Sequence, residues 1–219
     1  MASETQICNT ALSHLGNRGR VASISPVDGS AEADYCAAFF GLARNELLEM
    51  FDWTFARKRQ TLALVTNSSS VWAYAYALPS DCLRARRIIT GAGVTEEDSE
   101  SYNVEGGVLM TNKQYAELIY TRPVTDAGLF PPSFVTAMSY LLAAYLAGPI
   151  LKGIDGTRAG GEFRKIAGQM AREASASDAN SVDTPLDWTP SNIAARNGLT
   201  GGAYPSNSTA TPGSGYVIL

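Results

Sequence analysis

Hydrophobic residues recur at helical spacing through the first 51 positions of the chain. Ser3 is placed to cap a first helix over residues 4–15, and Gln6 completes a capping box three positions later. Ser30 is the matching cap for a second helix, which the pattern predicts over residues 31–51.

The second predicted helix carries an unusually wide apolar surface. Its main stripe runs from Cys36 to Phe51 at steps of three and four residues. Tyr35, Phe39 and Leu42 extend that stripe sideways, so we expect this helix to be covered on two sides.

The middle of the chain changes to the two-residue repeat of β-strands. Trp72, Tyr74 and Tyr76 alternate with alanines, and we expect these aromatic side chains to belong to a core rather than to an interface. Gly106 and Gly107 separate two short apolar runs, which indicates a hairpin. Further strands are predicted at residues 55–64, 83–90 and 115–121. Residues from about 54 to 122 are therefore expected to form a small antiparallel sheet.

Helical spacing returns after residue 132. Two helices are predicted, over residues 133–148 and 157–178, with Pro149 kinking or ending the first of them. Gly160 and Gly161 weaken the beginning of the second. The apolar run at residues 137–151 is shorter than the ~20 residues of a membrane span, so we expect a buried helix.

The last 39 positions, residues 181–219, differ in composition from the rest of the chain. They are rich in Gly, Pro, Ser, Thr and Asn, follow no helical or strand period, and cannot build a core of their own. Spaced apolar side chains nevertheless favour an extended arm that orders on a partner, with a disordered tail as the alternative. The expected partner-binding residues are Leu186, Trp188, Ile193, Leu199, Tyr204, Tyr216, Val217, Ile218 and Leu219.

These elements predict a chain of two parts, a folded body over residues 1–180 and the arm over residues 181–219. The body is expected to have an α+β, mainly helical fold. In this fold, two N-terminal and two C-terminal helices form a bundle, and a small antiparallel β-sheet is inserted between them.

Composition narrows the class of protein without identifying it. The chain has 219 residues, 17 Lys+Arg and 21 Asp+Glu, so its formal net charge is −4. With 45% hydrophobic residues it has enough apolar side chains for a core, which excludes a disordered chain. A sequence pI of about 5.1 counts against a free-standing nucleic-acid binder.

The N-terminus and the cysteines indicate the compartment. The first residues show no basic segment followed by an apolar one, so we expect no signal peptide. Cys8, Cys36 and Cys82 are an odd number of widely spaced cysteines, which is not a disulfide framework. A reducing compartment such as a bacterial cytoplasm fits this pattern.

A search for catalytic and ligand-binding patterns finds no strong one. His14 is the only histidine, and its spacing from Cys8 places the two side chains on different faces of a helix. The acidic run at residues 96–100 is typical of a solvated turn. There is no phosphate-binding loop and no nucleophile elbow. We therefore expect no enzymatic activity, no cofactor and no metal site.

Two basic clusters remain, at residues 57–59 and 84–87. Arg57 and Arg59 share one face of a regular strand, as do Arg84 and Arg86. These rows are candidates for charge links to another subunit or for contacts to DNA phosphates. Edge charges that prevent wrong strand pairing are the alternative.

Five segments carry a resemblance to a known family. They are CNTALSHLG at residues 8–16, WTFARKR at 53–59, YAYALPSDCL at 74–83, FP at 130–131 and LLAAYLA at 141–147. In this order they resemble the tail tubular protein A family of short-tailed bacteriophages, whose members are head-to-tail adaptors, also called gatekeepers. The resemblance covers roughly residues 5–178, and the segment at 74–83 is its most specific part. The arm has no matching residues.

The resemblance implies a ring, commonly of twelve copies, that joins the portal of the phage head to the tail nozzle around the DNA channel. The arm would then dock on the portal or on a neighbouring subunit, and tail fibres are a further candidate partner. Genomic DNA would pass through the lumen without sequence recognition. The implied location is the virion, with assembly in the host cytoplasm.

Two rival functions belong to other classes. A tail-associated, envelope-degrading hydrolase would need a pair of carboxylates held across a cleft. A DNA-contacting connector would use the arginine clusters, and its binding would fall steeply with salt.

Overall fold

The computed structural model describes residues 2–90 and 100–180, which have an α+β, mainly helical fold, as the sequence predicts. The described residues contain four α-helices: α1 (Glu4–His14), α2 (Ala31–Met50), α3 (Pro132–Leu151) and α4 (Gly153–Ala179). They also contain seven strands: β1 (Arg57–Thr61), β2 (Leu64–Val65), β3 (Tyr74–Ala77), β4 (Arg84–Thr90), β5 (Tyr102–Glu105), β6 (Val108–Thr111) and β7 (Ala116–Thr121). The predicted arm lies outside the described residues.

The caps predicted for the first two helices are confirmed at Ser3 and Ser30, but the reciprocal bond of the predicted capping box, from the Ser3 backbone N–H to the Gln6 side chain, is absent from the described residues. The Ser3 hydroxyl accepts a hydrogen bond from the backbone N–H of Gln6 at 3.1 Å, and Ser30 accepts one from Ala33 at 3.2 Å. Each cap satisfies one of the N–H groups that a helix leaves unpaired in its first turn. At the other end of α1, Gly16 adopts a left-handed φ of 71°, which stops the helix.

The third and fourth helices meet at a sharp corner after Leu151. Helix α3 continues through Pro149, and the backbone N–H of Lys152 still donates to the carbonyl oxygen of Gly148 at 3.1 Å. The break comes instead from Lys152 and Gly153, whose φ angles of 58° and 59° are left-handed. The proline therefore removes one donor near the end of a helix but does not end it.

Helix α4 begins four residues earlier than the prediction because two of its glycines pack against α3. A Cβ atom added at Gly156 would lie 2.7 Å from the carbonyl oxygen of Ala147, and one at Gly160 would lie 3.0 Å from that of Ala144. Only glycine allows the two backbones to come this close. The intrinsic weakness of glycine in a helix is offset here by that contact.

Helix α3 is the centre of the bundle, with α1, α2 and α4 packed around it. It is the one helix among the described residues that is long and apolar enough, by length and composition, to span a membrane. A core helix passes the same test, and eight hydrophobic side chains of α3 are buried in the bundle core.

The strands form two antiparallel sheets rather than the single sheet that the pattern predicts. One sheet has the order β1-β7-β4, and the other has the order β2-β3-β6-β5. The predicted hairpin is present, with Gly106 and Gly107 at positive φ between β5 and β6. Within the described residues, consecutive strands pair with each other only in β2-β3 and β5-β6, so most of the pairing is between distant segments.

A second, smaller core lies between these sheets. Tyr76 and Leu109 from the four-stranded sheet meet Leu118, Tyr120 and Ile88 from the three-stranded sheet. Tyr76 is thus a core residue, as expected. Tyr74 packs at the margin of the same core and Trp72 is half-buried.

Candidate interaction surfaces

The arginines of the sheet converge on the end of helix α2. Strand β4 has a bulge at Arg86, because Ala85 pairs with Tyr120 while Arg87 pairs with Ile119. A bulge adds one residue to the strand and changes which side chains share a face. The simple alternation that the sequence predicts for Arg84 and Arg86 therefore does not hold along the whole strand.

Arg86 closes the C-terminus of α2. Its Nη2 atom faces the carbonyl oxygens of Leu48 at 3.1 Å, Glu49 at 3.0 Å and Phe51 at 2.5 Å, so its N–H groups are shared among three acceptors. Its Nε atom donates to the Thr121 hydroxyl at 2.8 Å. The last turn of α2 contains no basic residue of its own, and Arg86 supplies the positive charge that a helix C-terminus favours. Burial lowers the pKa of its guanidinium from the ordinary value.

Three further arginines surround the same junction. Arg57 and Arg87 both pair with the Asp52 carboxylate, at 3.1 and 3.4 Å, and Arg84 lies 3.4 Å from the carbonyl oxygen of Glu49. We call Arg57, Arg84, Arg86 and Arg87 the arginine junction. It connects the three-stranded sheet to the helical bundle within one chain.

The predicted charge-link residues are therefore placed as follows. Arg57, Arg84 and Arg86 all contact groups of their own chain, and Arg59 is an exposed residue of β1 that also has an interaction partner. Asp52, which the sequence reasoning missed, follows directly after α2. Its position between the end of α2 and the basic residues of β1 was the sequence signal that could have indicated an ion pair.

The end of α4 is held on the segment that enters β1. The Asp178 carboxylate accepts hydrogen bonds from the Thr54 backbone N–H and hydroxyl, both at 2.7 Å. Thr54 begins a single 3-10 turn, so Asp178 acts as its cap from a distant helix. The body is therefore fixed just before the predicted arm begins.

A polar cluster connects helices α2, α3 and α4. The Glu46 carboxylate of α2 accepts hydrogen bonds from the Tyr145 hydroxyl of α3 and from the Arg164 guanidinium of α4. The Arg164 guanidinium also lies over the Tyr145 ring, 5.6 Å from its centroid. Burial, together with the bond to Glu46, raises the pKa of Tyr145. This cluster sets the position of α2 relative to α4.

His14 fastens α1 to the central helix. Its Nε2 atom lies 3.1 Å from the Ser139 hydroxyl, which itself donates to the carbonyl oxygen of Thr136 at 2.8 Å. Nε2 must therefore be the donor to Ser139. The imidazole stacks on Tyr140 with 4.0 Å between ring centroids, and Phe163 lies beside both rings. Burial lowers the pKa of His14, which favours the neutral ring.

The cysteines and carboxylates are engaged in structural contacts. The thiols of Cys8 and Cys36 are hydrogen-bonded to each other, and this bond and burial raise the pKa of Cys8 well above its ordinary value. Asp81 pairs with Lys58 at 2.7 Å and accepts a hydrogen bond from Tyr120, and the bond to Lys58 lowers the pKa of the carboxyl.

Within residues 2–90 and 100–180, no group of three or more His, Cys, Asp or Glu side chains is placed to hold a metal ion. Most of the acidic run lies outside these residues, and Glu100, its last member, pairs with Lys113 at 2.7 Å.

Large apolar side chains are exposed at several places on the body. On α2 they include Leu42, which is 53% exposed, and Tyr35 at 39%. Ile154, at the corner between α3 and α4, is 87% exposed. In the connections that lead into β3 and β7, Val71 and Tyr115 are exposed by 77% and 75%.

The second side of α2, expected to be covered, is covered only in part within the described residues. Phe39 packs against the bundle core and stacks on Tyr145 with 5.7 Å between ring centroids, whereas Tyr35 and Leu42 are open to solvent.

The predicted partner-binding residues of the arm, from Leu186 to Leu219, lie outside the described residues. No protein-family model matches the chain, and no curated protein matches it either.

Proposed function

We propose that this chain is a structural head-to-tail adaptor of a short-tailed bacteriophage. Copies of it form a ring that joins the portal to the tail nozzle around the DNA channel. The arm, residues 181–219, docks on the portal or on a neighbouring subunit. The protein assembles in the host cytoplasm and becomes part of the virion.

The exposed second face of α2 is the observation that carries this proposal. The core side of α2 is complete, with Cys36, Phe40 and Leu47 almost or entirely buried. Tyr35 and Leu42 on the opposite side are not needed for that core, yet they present apolar surface to water. Exposed apolar side chains aligned on one helix face are a feature of protein–protein contacts, which supports the proposal. In a subunit of an assembly this apolar face can be buried against a neighbour, whereas in a monomeric enzyme it would stay exposed to water.

The segments that carry the family resemblance support the proposal because they contain residues of the two hydrophobic cores. Trp53 is fully buried, donates to the carbonyl oxygen of Leu47 at 2.9 Å and meets the ring of Phe134 edge-on at 5.0 Å. Tyr76 in the segment at 74–83 is a core residue of the sheets. These residues therefore stabilise the folded body, which is the role expected of the resembling segments in a structural subunit.

The DNA-contacting alternative is supported less by the observed contacts. Arg57 forms an ion pair with Asp52, and Arg86 donates hydrogen bonds to the carbonyl oxygens at the end of α2. Arginines engaged in this way have fewer donors left for phosphate groups. The hydrolase alternative needs two facing carboxylates, and Glu46, Asp52 and Asp81 are each bonded to a cation or a hydroxyl.

The proposal is tested by electron microscopy of the purified full-length chain, alone and mixed with the portal protein encoded in the same phage genome. A closed ring of this chain on the portal is expected. A portal that recruits no copies would contradict the proposal. Turnover of peptidoglycan or capsular saccharide, abolished by Asp81→Asn but not by Asp34→Asn, would instead favour the hydrolase.

A further inference from the structure

Helix α2 presents a regular stripe on the side opposite to its core. The stripe consists of Tyr35, Ala38, Leu42, Asn45 and Glu49. Its steps of three and four residues are those of a coiled-coil seam, and it lies across the helix from the buried row of Cys36, Phe40 and Leu47. We call it the outer stripe of α2. Its two large apolar side chains, Tyr35 and Leu42, are seven residues apart.

Helix α4 has a matching stripe, also on the side away from α3. It consists of Ile154, Arg158, Gly161, Lys165, Gly168 and Arg172. The buried row of α4, which includes Ala167 and Ala171, lies on the opposite side of the helix. We call this the outer stripe of α4. Its two glycines are also seven residues apart, and an added Cβ at either would meet no heavy atom of the described residues within 4 Å.

The shapes of the two stripes are complementary. A spacing of seven residues corresponds to ~10.5 Å along a helix, so Tyr35 and Leu42 can sit opposite Gly161 and Gly168 at the same time. This fit holds whether the helices run parallel or antiparallel. Large side chains of one helix facing small positions of another are how helices interdigitate. The aliphatic stems of Arg158 and Lys165 add cover for the apolar side chains of α2.

The charges are complementary as well. Asp34 and Glu49 are the exposed acids on the outward side of α2. Neither forms an ion pair within residues 2–90 and 100–180, although Glu49 interacts at longer range with Arg86. Lys165 and Arg172 on α4 likewise form no ion pair in those residues. Arg158 has only an exposed pair with Glu162 at 3.4 Å. The acids of α4, Asp155, Glu162 and Glu173, lie together on one flank of its stripe.

We propose that the outer stripe of α2 in one copy packs against the outer stripe of α4 in the next copy. This inference rests on the proposed ring and names the surfaces that close it. Because the two stripes differ, the contact is head-to-tail, and each copy offers one stripe to each of its two neighbours. Contacts of this kind form a ring when the rotation between copies closes and an open filament when it does not, so the proposed ring requires a closing rotation. Within a subunit, α2 and α4 are joined through Glu46, which accepts hydrogen bonds from Tyr145 and Arg164.

The experiment uses full-length variants in which one stripe is blocked. Leu42→Arg blocks the stripe of α2, and Lys165→Glu with Arg172→Glu blocks that of α4. Gly161→Leu is a second α4 variant, which fills the groove with a strong helix former and so protects folding. Leu64→Arg is the matched control, because Leu64 is 58% exposed, similar to Leu42, but lies on strand β2. Circular dichroism and melting temperature establish that each variant is folded.

Self-association is measured by analytical ultracentrifugation and, on the portal, by electron microscopy. Each blocked variant is expected to associate at least tenfold more weakly than the wild type, while the Leu64→Arg control associates normally. A mixture of the α2-blocked and α4-blocked variants should form dimers and nothing larger, since only one intact contact remains between them.

Three results would overturn the inference. An α4-blocked variant that still associates like the wild type would show that α2 pairs with another surface, such as a second α2. Equal loss in the Leu64→Arg control would show that the effect is not specific to these helices. A wild-type chain that stays monomeric both alone and with the portal would show that no second copy binds the outer stripe of α2. The first two results leave the ring itself intact, whereas the third also contradicts the proposed function.

Discussion

Arg86 and Glu49 are 37 positions apart in the sequence, and the Arg86 guanidinium donates to the Glu49 carbonyl oxygen at 3.0 Å. Through this bond and its neighbours, a strand of the sheet completes the hydrogen bonding of a helix in the bundle. The arginine junction also contacts the end of the outer stripe of α2, because Arg84 and Arg86 bind the backbone carbonyl oxygen of Glu49, the last residue of that stripe.

Replacing Arg86 by Met is expected to lower the free energy of unfolding by about 2–3 kcal/mol, because several carbonyl oxygens lose a charged donor. Arg86→Lys should recover only part of this loss, since an ammonium cannot reach the acceptors with a planar fork. Denaturant unfolding measures both. Arg84→Met is the control, as the exposed Arg84 makes one long contact of 3.4 Å. Equal effects at the two positions would contradict a capping role for Arg86.

Glycine-to-alanine substitutions on the two faces of α4 should change the free energy of unfolding in opposite directions. Gly156→Ala is expected to destabilise the chain by about 1–3 kcal/mol, because the new Cβ would lie 2.7 Å from the backbone of Ala147. Gly161→Ala should instead stabilise it by about 0.5–1 kcal/mol, as in an open helix interior. Thermal unfolding at low protein concentration checks both. A stabilising Gly156→Ala would mean that the two helices are not in close contact.

Acidification is expected to weaken the packing of α1 through His14. The pKa of His14 is lower in the folded chain than its ordinary value of about 6.5, so above that pH both states are neutral and the packing is at full strength. As pH falls below the ordinary value, the unfolded chain binds the proton first, and the free energy of unfolding decreases until the folded pKa is passed.

His14→Gln retains a donor for Ser139 but does not titrate, so it isolates this contribution. Between about pH 7.5 and pH 5, the wild type should lose more stability than the variant. Denaturant unfolding at each pH gives the difference, and NMR titration of the single imidazole reports its pKa directly. A pKa at or above the ordinary value would refute the prediction.

Tyr115 adopts a left-handed backbone with φ of 60° while its side chain is 75% exposed. Tyr115→Gly is expected to stabilise the chain by about 0.5–1 kcal/mol, since relief of this backbone strain exceeds the added freedom of the unfolded chain. Tyr115→Ala keeps a Cβ and serves as the control, with little change expected. If glycine and alanine give equal stabilities in thermal unfolding, backbone strain is not the cause.

Deleting residues 181–219 should leave a folded body, because both hydrophobic cores lie within residues 2–180. The truncated chain is expected to lose its affinity for the portal, as the arm supplies the docking segment in the proposed function. Circular dichroism checks the fold, and co-sedimentation with portal rings checks binding. Unchanged affinity of the truncated chain would show that the arm is not the docking element.

Local signals in the sequence were sufficient for the helices and for one hairpin. The caps at Ser3 and Ser30 act on backbone groups three residues away, and the turn at Gly106 and Gly107 needs only its own positive φ angles. The α+β, mainly helical class followed from the same short-range periods. Interactions of this range are determined by neighbouring residues, so the sequence by itself determines them.

Tertiary structure alone decided the grouping of the strands, the beginning of α4 and the roles of the arginines. The bulge at Arg86 changed which side chains share a face, and Gly156 became a helical residue because α3 lies against it. On the face of α2 that the pattern predicts to be covered, Phe39 finds a partner in Tyr145 of α3, whereas Tyr35 and Leu42 stay exposed in the described chain. Each outcome depends on a partner far away in sequence, and periodicity, which records only local spacing, carries no information about that partner.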